Sequence, residues 1–487
     1  MGIPSYYKNI IENYPNIVST KLDLKLNVDN LFFDLNCAIH PCCRNKTDEN
    51  EMLESIYGKI VECIKISKVK KLVYIAIDGP APKMKMEQQR QRRLKSALEN
   101  KIWDTNQITP GTQFMNNLNI YLKGKIVEMK LINKMKHLKF IISDSNEPGE
   151  GEHKLMNIID SLPINDINVI YGLDADLIML SMIRDHKIFL LRETTDYNIE
   201  NVDSDYIYCN IDLLKYYIIQ DLKSNQIKIN DTQLLFDYLF MCFLLGNDFI
   251  INSPSLILRY NGLNSLQNTY HELQSEYFGN FYLLKENKQI DFHNFKLFIQ
   301  KLASNESSSF NNILNIRNKQ ENGIQRRNYK KDSDDYKLHD PIINRKDEKI
   351  IFNNLENYHR KYNLFNFYNT HDYNPSYDQL LNDNIQDLCF EYMKSLSWTV
   401  FYYFHKKTYW TYHFPYHFSP LLSDLHNYLE NTKDNFDFKN DKPYSSAQQL
   451  KIVLPFQDNS YKYPKITPTH SLLKRYNWEC HPILPPF

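Results

Sequence analysis

Short apolar runs recur from the start of the chain to about residue 300, and stretches with helical spacing of apolar positions separate most of them. The runs Asn30–Asp34, Leu72–Asp78, Phe140–Ser143, Asn168–Gly172 and Lys187–Arg192 are rich in Ile, Val, Phe and Tyr and apolar on both faces. Strands buried on both sides by helices have that character. Glu51–Ser67 and Gly151–Leu162 are examples of the intervening helical patterns. The alternation predicts an α/β fold, a largely parallel twisted sheet flanked by helices, over residues 1–300. Residues 301–345 are polar and poor in aliphatics, as in Ser304-Asn305-Glu306-Ser307-Ser308-Ser309, and read as an exposed linker or loop. From 346 to 487 helical patterns return with many aromatics. In 398–420, eleven of twenty-three positions are aromatic, and Trp398, Phe401 and Phe404 predict a core helix that is apolar all round.

Composition changes this picture little. The 487 residues are 42% hydrophobic and carry zero formal net charge, so a large core is expected and an anionic partner must be held by a local patch. The eight cysteines include no CxxC pair and no cluster at zinc-ligand spacing, which fits scattered buried thiols in a reducing compartment. The N-terminus turns polar at Tyr6-Tyr7-Lys8-Asn9, and no apolar run approaches membrane-spanning length. The expectation is a soluble intracellular protein, cytoplasmic and monomeric, without a membrane partner.

The acids carry more information. Asp34 ends one predicted strand, Asp78 ends another, and Asp174 and Asp176 follow a third. Ligands of open parallel sheets collect at the carboxyl ends of the strands. Glu150 and Glu152 stand in Pro148-Gly149-Glu150-Gly151-Glu152-His153-Lys154, where glycines allow a tight turn into an amphipathic helix. Asp248, in Gly246-Asn247-Asp248, follows an apolar helix around Leu234–Leu245. A single Asp after a strand is usually a helix cap. Seven acids in these settings predict a metal centre instead, because their repulsion in one crevice would need a cation. Hard oxygen donors suit Mg²⁺ or Mn²⁺, and two such ions could activate water and stabilise the leaving oxygen of a phosphodiester.

After Asp78 and the turn Gly79-Pro80-Ala81-Pro82 comes a basic stretch, Lys83 to Lys95, with six basic residues and one acidic. Lys85, Gln89, Arg92 and Arg93 share one helical face. A solvated charged face is the ordinary explanation of such a run. Here the helix springs from a candidate metal-binding strand, so the face reads as a phosphate clamp.

These blocks together resemble the Xrn family of 5′→3′ exoribonucleases. The likeness runs through Gly2-Ile3-Pro4, DLNCAIH from Asp34 to His40, DGPAPKMKMEQQRQRR from Asp78, Thr109-Pro110-Gly111-Thr112, PGEGEHK, YGLDADLIML from Tyr171 and LLGNDF from Leu244. It implies a nuclease core of the PIN or flap-nuclease kind, with all seven acids holding divalent ions. It implies that Lys85, Gln89, Arg92 and Arg93 bind a 5′-monophosphate, and that His40 and Trp410 stack on bases near that end. The implied substrate is single-stranded RNA, released as nucleoside 5′-monophosphates. With the chain closing soon after Val453-Leu454-Pro455, a compact member without the C-terminal accessory domains is expected. Two other readings compete. A flap-endonuclease-like DNA enzyme would place a glycine-rich duplex-gripping loop after Asp248, where Phe249-Ile250-Ile251-Asn252-Ser253 stands. A catalytically inactive RNA-binding scaffold would have no need of the acid cluster.

Overall fold

Five of the strands in the computed structural model are the apolar runs of the sequence, one with the same bounds and four with ends that differ by one or two residues. They are β2 (Asn30–Asp34), β3 (Leu72–Ala76), β4 (Lys139–Ser143), β5 (Ile167–Tyr171) and β6 (Lys187–Glu193), preceded by β1 (Val18–Ser19) and followed by β7 (Tyr206–Asn210). The seven-stranded sheet has the order β1-β7-β6-β5-β2-β3-β4. The pairs among β6, β5, β2, β3 and β4 are parallel, and β7 and β1 add an antiparallel edge. Every residue of β2, β3 and β5 is buried, as a sheet covered on both faces requires. On one face Leu31, Phe33, Val73, Ile75, Val169 and Tyr171 join a core with residues of the helices Glu49–Ser67 and Gln113–Leu131. Phe32 and Tyr74 point the other way, ring centroids 6.0 Å apart, and the helix Gly151–Ile159 lies against β2 and β3. The structure describes all residues except 1, 22–26, 99–101, 132–134, 173, 195–203, 224–229, 332, 373–374, 376–377, 432–435, 455–468 and 485–487. Leu173 and Pro455, quoted above within motifs, lie outside the described residues.

Two compact units divide the chain, and they do not follow chain order. The first is Met1–Asp221 with the short stretches Thr408–Tyr412 and Lys439–Tyr461; the second is Leu222–Lys407, His413–Phe438 and Lys462–Phe487. The sheet belongs to the first unit. The second is mainly helical, with the helix Asp378–Phe404 burying Trp398 against Phe249 and Tyr402 at centroid distances of 5.2 and 4.8 Å. No described helix is long and apolar enough to cross a membrane.

The segment 301–345 corrects the reading as linker or loop. It finishes one helix, Phe292–Ser304, and then forms Glu306–Arg327, Asp334–Leu338 and Asp340–Ile343. Low aliphatic content misleads here because two of the long helix's four buried residues are charged: Glu306, Phe310, Ile313 and Arg317. The Glu306 carboxylate accepts from Ser255 Oγ, Tyr358 Oη, the Leu422 and Ser423 N–H groups and Ser423 Oγ, at 2.8–3.2 Å. Arg317 pairs with Glu348 at 2.6 Å and donates to Tyr260 Oη and to the Pro341 and Lys474 carbonyls. Satisfied buried charges anchor the helix where leucines would in a simpler sequence. Removing one partner of such a network leaves the others desolvated. Arg317→Met is therefore expected to cost about 3–5 kcal/mol of stability, read by urea unfolding; a loss under about 1 kcal/mol, the range of exposed pairs, would contradict it.

Candidate active site

The parallel register sets Phe33 beside both Ile75 and Tyr171, so β2, β3 and β5 end level with one another. Asp34 is the last residue of β2, and Asp78 lies two beyond β3. Glu150 and Asp174 occupy the N-cap positions of the helices Gly151–Ile159 and Ala175–Met182, with Glu152 and Asp176 in their first turns. A capping role would be the ordinary reason for acids at such places. Neither Glu150 nor Asp174 makes a side-chain capping bond. The carboxylates of Asp34, Asp78 and Glu152 instead bring oxygens within 4.8 Å of one another, and the Asp34 and Asp174 carboxylates converge equally closely with Cys37 Sγ. Asp34, which is 3% exposed, belongs to both groups.

The loops are built to hold this arrangement. Gly79 N–H donates to the Gly149 carbonyl and Gly149 N–H to the Pro80 carbonyl, both at 2.9 Å, sewing the turn after β3 to the turn before the helix. A Cβ at Gly79 would lie 1.7 Å from the Glu147 carbonyl oxygen. Gly151 N–H donates to Asp78 Oδ1 at 2.6 Å, and a Cβ there would sit 2.9 Å from Asp34 Oδ1. Asn36, which the sequence reading did not single out, donates through Nδ2 to Asp78 Oδ2 at 2.8 Å and accepts the Asp78 N–H at 3.1 Å. Lys154, also passed over, is buried and donates to the Ile77 and Asp144 carbonyls at 2.8 and 3.0 Å. Burial lowers its pKa to about 8, against the pull of Asp78. Asn36 and Lys154 gave only one signal in the sequence, their places inside the acid motifs.

Burial, and then the charges of Asp78 and Asp174, raise the Asp34 carboxyl well above the usual carboxylate range. Burial and then Glu150 do the same to Glu152, against Lys85. Asp78 is raised by burial and Glu150, with the Gly151 N–H opposing. Asp34 Oδ1 is buried and has no hydrogen-bond partner among the described residues. An orphaned buried oxygen facing other carboxylates fits a hard divalent cation, which neutralises the repulsion and takes the vacant lone pairs. A stability consequence follows. Between the ordinary carboxylate pKa of about 4 and their raised values, these groups hold protons in the folded protein that the unfolded chain releases. Folded stability in chelator should then fall as pH rises through that window, and Mg²⁺ should restore it. The expected observation is a gap in melting temperature between Mg²⁺ and EDTA that widens with pH; a gap indifferent to pH would contradict it.

The basic helix is Lys83–Leu98, and it joins the acids directly: Lys85 Nζ lies 2.5 Å from Glu150 Oε2, both side chains nearly buried. Arg93 donates from Nε to Thr109 Oγ1 at 2.9 Å and from a terminal nitrogen to the Gln89 carbonyl at 3.3 Å. Burial and the neighbouring Arg92 hold Arg93 below the usual guanidinium value, with Asp78 opposing. Arg92 is exposed and Gln89 half-buried. His40 is exposed on the helix Asn36–Cys43, so it is not a core histidine. Trp410, far along the chain, belongs to this same unit, and its carbonyl accepts the Lys83 N–H at 2.8 Å where the basic helix begins. Asp441 fixes that strand of chain by accepting the Trp410 and Thr411 N–H groups at 2.6 and 2.7 Å. The first unit thus contains six of the seven acids, the basic face, His40 and Trp410. Asp248 belongs to the second unit, in the turn after the helix Asp231–Phe243, where Asn247 Oδ1 accepts the Phe249 and Ile250 N–H groups.

The chain resembles known proteins along most of its length. The family description "XRN 5'-3' exonuclease N-terminus" matches residues 1–102 and 96–194, and "Xrn1 helical domain" matches 228–387 and 367–469. The 5'-3' exoribonuclease 1 of Homo sapiens is 29% identical over 93% of this chain and 30% of its own length. That of Saccharomyces cerevisiae is 34% identical over 56% of this chain and 21% of its own. The chain therefore spans less than a third of either relative. A solved structure of the catalytic core of Rad2 in complex with DNA substrate is similar at a TM-score of 0.36 and 12% identity, over 64% of this chain and 79% of that one. On the two family matches and these relatives, the chain belongs to the XRN 5′–3′ exonuclease family.

Proposed function

We propose that this protein hydrolyses single-stranded RNA from a 5′-monophosphate end and releases nucleoside 5′-monophosphates. The observation that carries the reading is the Lys85–Glu150 contact, which ties a one-faced basic helix to an acid cluster inside one unit. Lys85, Gln89, Arg92 and Arg93 bind the terminal phosphate, and the exposed His40 and the half-buried Trp410 stack on the first bases. Stacking on flat side chains tolerates any base, as a general RNA degrader needs. Asp34, Asp78, Glu150, Glu152, Asp174 and Asp176 hold the divalent ions; Asp248 is included on the sequence likeness of Leu244–Phe249 alone. Mg²⁺ or Mn²⁺, two ions in this reading, would supply Lewis acidity and a lowered pKa for water when bound. The protein's own part is to hold the terminal phosphate while the first phosphodiester lies against the carboxylates, which fixes the cut one nucleotide in from the end. The eight cysteines, none in a disulfide and seven of them buried, suit a reducing intracellular setting such as the cytoplasm, and the enzyme acts there as a monomer.

Product analysis tests this. RNA labelled at its 5′ end should yield labelled mononucleotide from the earliest times, while the same RNA labelled at its 3′ end should show no short labelled product until late. Early internal fragments, or equal cutting of a matched DNA flap, would turn the reading toward an endonuclease.

A further inference from the structure

We propose that Gln449 is a positioning residue: it fixes which end of the Gln89 side-chain amide faces the 5′ phosphate. The inference rests on the reading of Gln89 as a phosphate-binding residue. Gln449 lies on the helix Ser446–Val453, in the part of the C-terminal chain that belongs to the first unit, and it is 0% exposed. Two contacts define it. The Ala81 backbone N–H meets its side-chain oxygen at 2.7 Å, and its side-chain nitrogen meets Gln89 Oε1 at 3.1 Å.

An amide oxygen and nitrogen look alike in outline, and only the hydrogen-bond network distinguishes them. Here the network leaves no choice. A backbone N–H can only donate, so the Gln449 atom facing Ala81 must be its oxygen. Its NH₂ group is then the atom facing Gln89, and an NH₂ can only donate, so Gln89 must answer with its carbonyl oxygen. The Gln89 NH₂ is thereby turned away from Gln449. A terminal phosphate presents acceptors, which an NH₂ satisfies and an amide carbonyl repels. The relay starts at an obligate donor, Ala81 N–H, and ends at an obligate donor on the basic face. Ala81 sits between Asp78 and Lys83, so the relay is anchored to the turn that joins the acid cluster to the basic helix. A glutamine is the side chain that this position requires. A glutamate would accept at both ends, and an apolar residue would leave Gln89 free to turn its carbonyl outward.

The test is the ratio of kcat/KM for matched RNAs with a 5′-monophosphate and a 5′-hydroxyl, measured for the wild type, Gln449→Glu, Gln449→Met, Gln89→Met and Gln89→Met with Gln449→Met. Melting temperatures are recorded alongside. Gln449→Glu keeps the acceptor for Ala81 and so preserves the fold, but it demands a donor from Gln89 and flips it. The expected result is a ratio lowered about ten-fold or more by Gln449→Glu, the worth of a charge-assisted hydrogen bond. Gln449→Met should lower it by less, and nothing further should be lost when it is added to Gln89→Met. If Gln89→Met lowers the ratio and both Gln449 variants keep the wild-type value, the relay is wrong and the phosphate pocket stands. If Gln89→Met leaves the ratio unchanged, the pocket reading itself fails and takes the relay with it.

Discussion

Asp34→Asn is expected to lower RNA cleavage at saturating Mg²⁺ by at least about 10³-fold, while raising the melting temperature measured in EDTA. The two effects have one cause. Asp34 is common to both groups of converging ligand atoms, so its loss removes a donor from each. It is also buried, pressed by Asp78 and Asp174, and left with an orphaned oxygen. An amide of the same shape relieves that repulsion in the metal-free protein. A residue kept at a cost to stability is one retained for function. Rates of mononucleotide release and thermal melts in EDTA check both halves. Loss of activity together with loss of stability would instead mean that Asp34 serves the fold.

The second large effect is expected at the other end of the site. Arg92 is exposed, so its truncation should spare the fold. Arg92→Ala is predicted to lower kcat/KM for 5′-monophosphate RNA by about 10- to 100-fold, the worth of a charge-assisted contact of about 1.5–3 kcal/mol. The 5′-hydroxyl substrate, which has no terminal phosphate to lose, should be affected far less. A parallel fall on both substrates would assign Arg92 to general binding of the RNA backbone and not to the end. The same substitution should also relieve Arg93, whose pKa Arg92 helps to hold down.

The sequence made the parallel part of this fold legible because its strands are short apolar runs, and β2, β3 and β5 are buried along their whole length. The edge strands escaped: Val18–Ser19 is two residues long, and Tyr206–Asn210 pairs antiparallel at the sheet's margin. The first has no pattern of its own, since tertiary pairing makes it a strand; the second is a buried apolar run that passes directly into the helix Ile211–Leu222, which hides its boundary. The helix Glu306–Arg327 was hidden for a different reason. Its anchors are Glu306 and Arg317, and composition alone cannot tell a buried, satisfied charge from a solvated one. At the site, the acids stood out because they end strands or open helices, and Glu150 and Asp174 could be separated from ordinary caps only by the missing capping bonds. Gln449 and Asp441 gave no signal at all. They are hundreds of positions from Gln89 and Lys83 in sequence, and only the return of the C-terminal chain to the first unit brings them near.

The acid cluster and the 5′-end reader are joined most directly by one measurement. Matched single-stranded RNAs with 5′-monophosphate, 5′-hydroxyl or 5′-triphosphate ends are incubated with the protein in Mg²⁺ and, separately, in chelator. The prediction is rapid decay of the monophosphate RNA to mononucleotides, slow decay of the other two, and none in chelator. Equal decay of all three ends, or undiminished decay in chelator, would contradict it.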